Sequence, residues 1–121
     1  MPEFTIQGKT ASEDERRIAD WLTQTGYGYE YEVDVPVPSS MQGAKKYVDF
    51  VITINGRTQP FEVDGEIGHN QASEKGADAM REAMLNQTFK SWGWLPMKRI
   101  AWTQYETKAS LDYNMRIILD L

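Results

Sequence analysis

Hydrophobic and polar positions alternate most cleanly between Lys45 and Asp64, where KKYVDFVITINGRTQPFEVD reads as two strands around Asn55-Gly56. That dipeptide predicts a two-residue type I′ turn, because both central positions need positive φ. With Ile54 facing Arg57, each step back along one strand is a step forward along the other. The register sets Asp49 opposite Glu62, with Asp64 one diagonal further on the same face. Val48, Phe50, Ile52, Phe61 and Val63 turn the other way as one apolar face.

The flanking segments punctuate themselves. Ser12-Glu13-Asp14-Glu15 has the form of a capping box, and the helix it opens carries Ile18, Trp21 and Leu22 before ending near Gly26. Tyr29 to Val37 alternates as a strand that Pro36 and Pro38 close, and Pro38 to Ala44 is a loop. Pro60 predicts weak pairing at the start of the second hairpin strand, and Gly65 to Gln71 is a loop. Ser73 to Trp92 reads as the longest helix, with Ala77, Met80, Met84, Leu85, Thr88 and Trp92 at helical spacing and Gly93 as its cap. Trp94 to Trp102 is a fourth strand. Thr103-x-x-Glu106 is a second capping box, opening a helix with an interruption allowed before Ser110 and with Met115, Ile118 and Leu119 on its apolar side. The order is helix, three strands, helix, strand, helix. It predicts an α/β fold in one domain, 1–121: a mixed four-stranded sheet flanked by helices.

Composition narrows the setting. A chain of 121 residues with 40% hydrophobic content can bury one core and has no room for a second. It has no cysteine, which removes disulfides and thiolate zinc sites and suits an intracellular protein. No apolar run approaches membrane-spanning length and the first residues lack a signal-peptide layout, so a cytoplasmic protein is expected, in the host cell if phage-encoded. The formal charge of −5 weighs against a generic nucleic-acid coat, although basic residues stand at Lys45-Lys46, Arg57, Lys90 and Lys98-Arg99.

The chemistry lies in the hairpin. Carboxylates opposed across a sheet repel, and a divalent metal with oxygen ligands would offset that cost. On spacing alone, the same three acids equally suit the solvated face of an ordinary hairpin. The wider text decides more. Glu15 on the first helix is followed by Val48-Asp49-Phe50, then Phe61-Glu62-Val63-Asp64-Gly65 and His69. Lys75, Asp78 and Arg81 follow, then Trp92-Gly93-Trp94 leading into Met97-Lys98-Arg99-Ile100. This succession, over roughly Ser12 to Glu106, resembles the PD-(D/E)XK nuclease fold, and within it the very-short-patch-repair-like endonucleases. The chain departs from the pattern at Asp64, which stands where that fold's lysine is expected, and it cannot build those repair enzymes' cysteine-rich zinc site.

The resemblance implies a restriction-endonuclease-like sheet and a Mg²⁺- or Mn²⁺-dependent endonuclease acting on DNA. Asp49, Glu62 and Asp64 would be the metal ligands, with the Val63 carbonyl as a further donor. Glu15 would join the catalytic group, and its capping-box role explains it equally well. His69 is the only histidine; beside a phosphodiester site it is expected as general base or phosphate contact, with Gly65 and Gly68 letting the backbone approach. Lys75, Arg81, Lys45 and Lys46 are candidate phosphate contacts, a solvated helix face being the other reading for Lys75 and Arg81. Asp78 would orient Arg81 or His69. Trp92, Trp94 and Trp102 flank an apolar strand and are expected in the core rather than as base-stacking platforms. Few cationic contacts on an acidic domain imply a homodimer or a protein partner for tight DNA binding. Economy suits a phage or mobile-element protein. The competing reading is an inactive nucleic-acid-binding or protein-interaction domain on the same scaffold.

Overall fold

The computed structural model describes residues 4–36, 47–65 and 72–121, for 72–78 the backbone alone. Expectations for Lys45, Lys46, Gly68 and His69, and for the side chains of Lys75 and Asp78, lie outside the described residues.

The Asn55-Gly56 turn forms as its chemistry requires, with φ of 50° and 78°, and Ile54 pairs with Arg57. It joins two eight-residue strands, β4 (Tyr47–Ile54) and β5 (Arg57–Asp64), at the centre of a four-stranded sheet. The outer strands are β3 (Gly28–Asp34), antiparallel to β4, and β6 (Lys98–Ala101), parallel to β5. Helix α2 (Ala72–Ser91) lies between β5 and β6 in the chain, as a parallel pair demands of its connection. Helix α1 (Glu13–Thr25) precedes the sheet and α3 (Lys108–Ile118) follows it. The described residues are thus α/β, with a mixed four-stranded sheet and three α-helices. No helix among the described residues is long and apolar enough to cross a membrane.

Two apolar clusters cover the sheet. Ile18, Trp21 and Leu22 of α1 and Leu111 and Met115 of α3 pack with Tyr31, Phe50, Ile52, Ile54, Phe61 and Ile100. Leu85 and Phe89 of α2 pack with Val35, Val48, Val51 and Met97. Val48 therefore does not share a face with Phe50, as strict alternation predicts. The strands are distorted just there: Glu32 of β3 has φ +52°, and no Glu32–Asp49 pair forms between Tyr31–Phe50 and Val33–Val48.

Other departures have local causes. Residues ahead of α1 form a hairpin, β1 (Phe4–Ile6) and β2 (Lys9–Ala11), turning at Gln7-Gly8 with φ of 50° and 80°. Gln-Gly imitates the Asn-Gly turn without its strong sequence signal. Gln7 then serves β3: its amide donates to the Tyr29 carbonyl (2.8 Å) and accepts from Tyr31 N–H (2.9 Å). Strand β3 stops at Asp34, and β6 spans four residues, ahead of which Leu95 N–H bonds Thr58 O and Met97 N–H is taken by Asn86. Pro60 pairs with Val51 inside the ladder rather than loosening it. Counting from the hydrogen-bonded Ile54–Arg57 pair that closes such a turn, Val51–Pro60 is a non-bonded pair, so β4 misses no donor. The last helix begins at Thr107, whose hydroxyl caps Ser110; Thr103 falls in a 3-10 turn, Trp102–Gln104.

Helix α2 corrects the expected apolar stripe. Its buried line is Arg81, Leu85 and Phe89, whereas Met80 is 64% exposed and Trp92 43%. Trp92 packs edge-on against Trp94 at 4.8 Å, outside the core; Trp94 and Trp102 are half-buried against it.

Candidate functional site

The paired residues of β4 and β5 end at Phe50–Phe61. Beyond that point two carboxylates take over from the ladder. Val63 N–H donates to Asp49 Oδ2 at 2.9 Å, and Asp49 N–H donates to Glu62 Oε2 at 3.3 Å. Both acids are 4% exposed. Asp49 and Glu62 thus meet across the central strands as the register predicts, Glu62 held by the Asp49 N–H and Asp49 by the Val63 N–H. Burying two charges costs several kcal/mol each unless they are paired, so a counter-charge is required.

Arg81 supplies it from α2. Its guanidinium donates to Glu62 Oε1 at 2.6 Å and to the Tyr47 carbonyl at 2.7 Å, and the residue is 5% exposed. Arg81 therefore does not lie on a solvated helix face. Its planar fork bridges a β5 carboxylate and the first residue of β4, a geometry lysine does not match.

Asp64 has a different partner. Arg99, on the adjacent strand β6, donates to both of its carboxylate oxygens at 3.3 Å and to Glu82 of α2 at 2.7 Å. Burial works against the Arg99 charge, but Asp64 and Glu82 more than offset it and raise its pKa. These side chains are about one-third exposed, so this pair sits at the rim of the site.

On the opposite side, Glu15 fulfils its capping role: its carboxylate accepts from Ser12 N–H at 3.0 Å, and Ser12 Oγ caps Glu15 N–H at 3.1 Å. It also accepts the Tyr31 hydroxyl, which ties α1 to β3. Burial, that bond, and the charges of Glu15, Glu32 and Asp49 push the Tyr31 pKa far above its ordinary value. Glu15 and Asp49 therefore act on one side chain from two elements.

Sequence reasoning missed Asp14 and Tyr105. The Tyr105 hydroxyl lies 3.1 Å from Asp14 Oδ2 and 2.9 Å from the Asp64 carbonyl, serving both acceptors with one proton. Burial first, then the Asp14 carboxylate, drives its pKa well up, against the opposing Arg17 charge. Arg17 lies over the Tyr105 ring at 5.5 Å and bonds its carbonyl. Asp14, Arg17, Trp102, Tyr105 and Glu106 line a cleft of about 390 Å³ next to the end of β5. Asp14 was hidden among the acids of a capping box, and Tyr105 in a segment read as helix.

The carboxylates of Asp49, Glu62 and Asp64 are hard oxygen donors, the kind a divalent cation takes. Their arrangement is another matter. Among the described residues no group of three or more such side chains is placed to hold a metal ion. The expected three-acid ligand set is divided, Glu62 to Arg81 and Asp64 to Arg99. The donors fit a divalent cation in kind, while Glu62 and Asp64 are each engaged by an arginine. No family model, curated protein or solved structure matches this chain.

Proposed function

We propose that this protein is a divalent-metal-dependent phosphodiester hydrolase, an endonuclease on DNA built on the restriction-endonuclease-like plan. One observation carries the reading: two acids, Asp49 and Glu62, are buried side by side where the central strands separate. A sheet needs no carboxylates to end a ladder, and buried, paired carboxylates are a recurring feature of catalytic sites. The element order supports it, with a helix, an antiparallel meander, a second helix and a strand parallel to the last of the meander.

Asp49 and Glu62 would hold Mg²⁺ or Mn²⁺, with Asp64 and Glu15 on either side. When bound, such an ion polarises a phosphate and lowers the pKa of water. The chain's own residues supply the rest. His69, five residues beyond Asp64, takes the proton from the attacking water. Lys45, Lys46 and Lys75 contact phosphates, while Tyr105 fixes the backbone at Asp64, the last residue of β5. An acidic domain of charge −5 acts as a homodimer or with a protein partner, in the cytoplasm.

The test is incubation with supercoiled plasmid, branched DNA and RNA, with and without Mg²⁺ or Mn²⁺. Metal-dependent cleavage of DNA is expected, lost in Asp49→Asn and slowed about a hundredfold or more in His69→Ala. Absence of cleavage of every substrate refutes the reading. Binding without cleavage would establish the second reading, an inactive nucleic-acid-binding domain. That reading is favoured by the arginines on Glu62 and Asp64, and by aspartate in the lysine's place.

A further inference from the structure

We propose that the cleft at the carboxyl end of β5 and β6 receives one unpaired base of the nucleic acid, held by Trp102 and read by Glu106. The proposal rests on the hydrolase reading for the class of ligand, and names the part of it that enters. Asp64 and Ala101 pair as the last residues of the two parallel strands, and Trp102 follows directly. Open α/β sheets hold ligands in the crevice outside such strand ends. The cleft of about 390 Å³ lies there, lined by Asp14, Arg17, Trp102, Tyr105 and Glu106. The Tyr105 hydroxyl ties its wall to the Asp64 carbonyl at 2.9 Å, and a Cβ on Gly65 would stand 3.6 Å from Asp14 Oδ2. The cleft therefore adjoins the end of the strand that carries Glu62 and Asp64.

The lining suits a base and not a phosphate. Two carboxylates, Asp14 and Glu106, stand against one guanidinium, Arg17, so an entering anion meets more negative than positive charge. Arg17 is moreover engaged, donating to the Tyr105 carbonyl and lying over the Tyr105 ring at 5.5 Å. Trp102 packs partly against the first apolar cluster and also lines the cleft. An indole stacks on any base, but only on one that has left its own stack, so the base is unpaired. The Glu106 side chain is exposed and makes no hydrogen bond among the described residues, which leaves its carboxylate to a donor. A carboxylate accepts from the exocyclic amino group of cytosine. Thymine offers it only a ring N–H set between two carbonyl oxygens, which repel it.

The experiment is fluorescence anisotropy of the purified chain with labelled DNA, at low salt and in excess chelator so that cleavage plays no part. The probes are a fully paired duplex and the same duplex with one unpaired dC or one unpaired dT, with free dCMP as a competitor. The unpaired dC duplex should bind about tenfold more tightly than the paired one, in line with one stacked base, and severalfold more tightly than the dT duplex. Trp102→Leu should weaken both unpaired probes at least about fivefold and leave the paired duplex unchanged, and Trp102→Phe should restore most of that loss. Glu106→Gln, at an exposed position, should erase the preference for dC over dT. A misfolded Trp102→Leu would weaken every probe alike, and Glu106→Gln then decides the matter alone. Equal affinity for paired and unpaired DNA, or a dC preference unmoved by Glu106→Gln, overturns the base site. Mg²⁺-dependent cleavage by the same protein would then leave the hydrolase reading standing, whereas DNA neither bound nor cleaved overturns both. Free dCMP competing as well as the unpaired duplex overturns the nucleic acid as the source of the base.

Discussion

The Arg81–Glu62 pair should behave in metal-free protein as a unit whose halves are worth less than nothing alone. Its side chains are 7% and 6% exposed, with the nitrogen and oxygen 2.6 Å apart. Removing one partner of a buried pair strands the other charge and costs about 3–5 kcal/mol. A domain of 121 residues unfolds with about 250 cal/mol/K near its midpoint, so Arg81→Met or Glu62→Met should lower Tm by about 12–20 °C. Removing both partners leaves neither member of this pair stranded. The double variant still loses the bonds to the Tyr47 carbonyl and from Asp49 N–H, each at about 1 kcal/mol. It should nonetheless be more stable than either single variant, with a coupling of at least about 2 kcal/mol. Urea unfolding of all four proteins in excess chelator measures this directly. Single variants costing under about 1 kcal/mol, or effects that simply add, would refute the view that the two charges keep each other in the sheet.

Alkaline pH tests the buried tyrosines. Tyr31 and Tyr105 have folded pKa values raised above the unfolded value of about 10. The stability they contribute is present below pH 10 and lost as pH climbs above it, by about 1.4 kcal/mol per tyrosine for each pH unit. Urea midpoints at pH 8 and pH 11 should show this fall, and Tyr31→Phe/Tyr105→Phe should flatten it; an unchanged slope would contradict the burial argument. Gln7→Ala should cost about 1–2 kcal/mol and expose the edge of β3, because both Tyr31 N–H and the Tyr29 carbonyl lose a partner. Equal stability and equal resistance to aggregation on heating would show that the amide is dispensable.

Much of the architecture was legible because its signals are local. Asn55-Gly56 sets its own φ angles, and with them the register that brings Asp49 to Glu62. Ser12 and Glu15 satisfy one another within a single turn of α1, and Gly26 closes that helix at φ +86°. Signals of similar strength misled where neighbours outbid them. Thr103-x-x-Glu106 has the spacing of a cap, but Thr107 and Ser110 make the one that forms.

What the chain text left open was decided over long separations. Arg81 occupies a line where Met80 and Met84 offered more apolar surface, yet it is the buried one. The reason is Glu62, 19 residues away, whose charge needs a partner inside the sheet more than the core needs a methionine. Likewise Arg99 reads as one of a pair of basic residues, and only the parallel pairing of β6 with β5 sets it against Asp64. Tyr105 reaches Asp14 across 91 residues, a contact no periodicity encodes. The sequence alone determined which acids stand on which strand, since turn chemistry and a two-residue period suffice for that. Which cation each acid holds is a question of charge balance in a buried space, and only the packing of α2 and β6 against the sheet answers it.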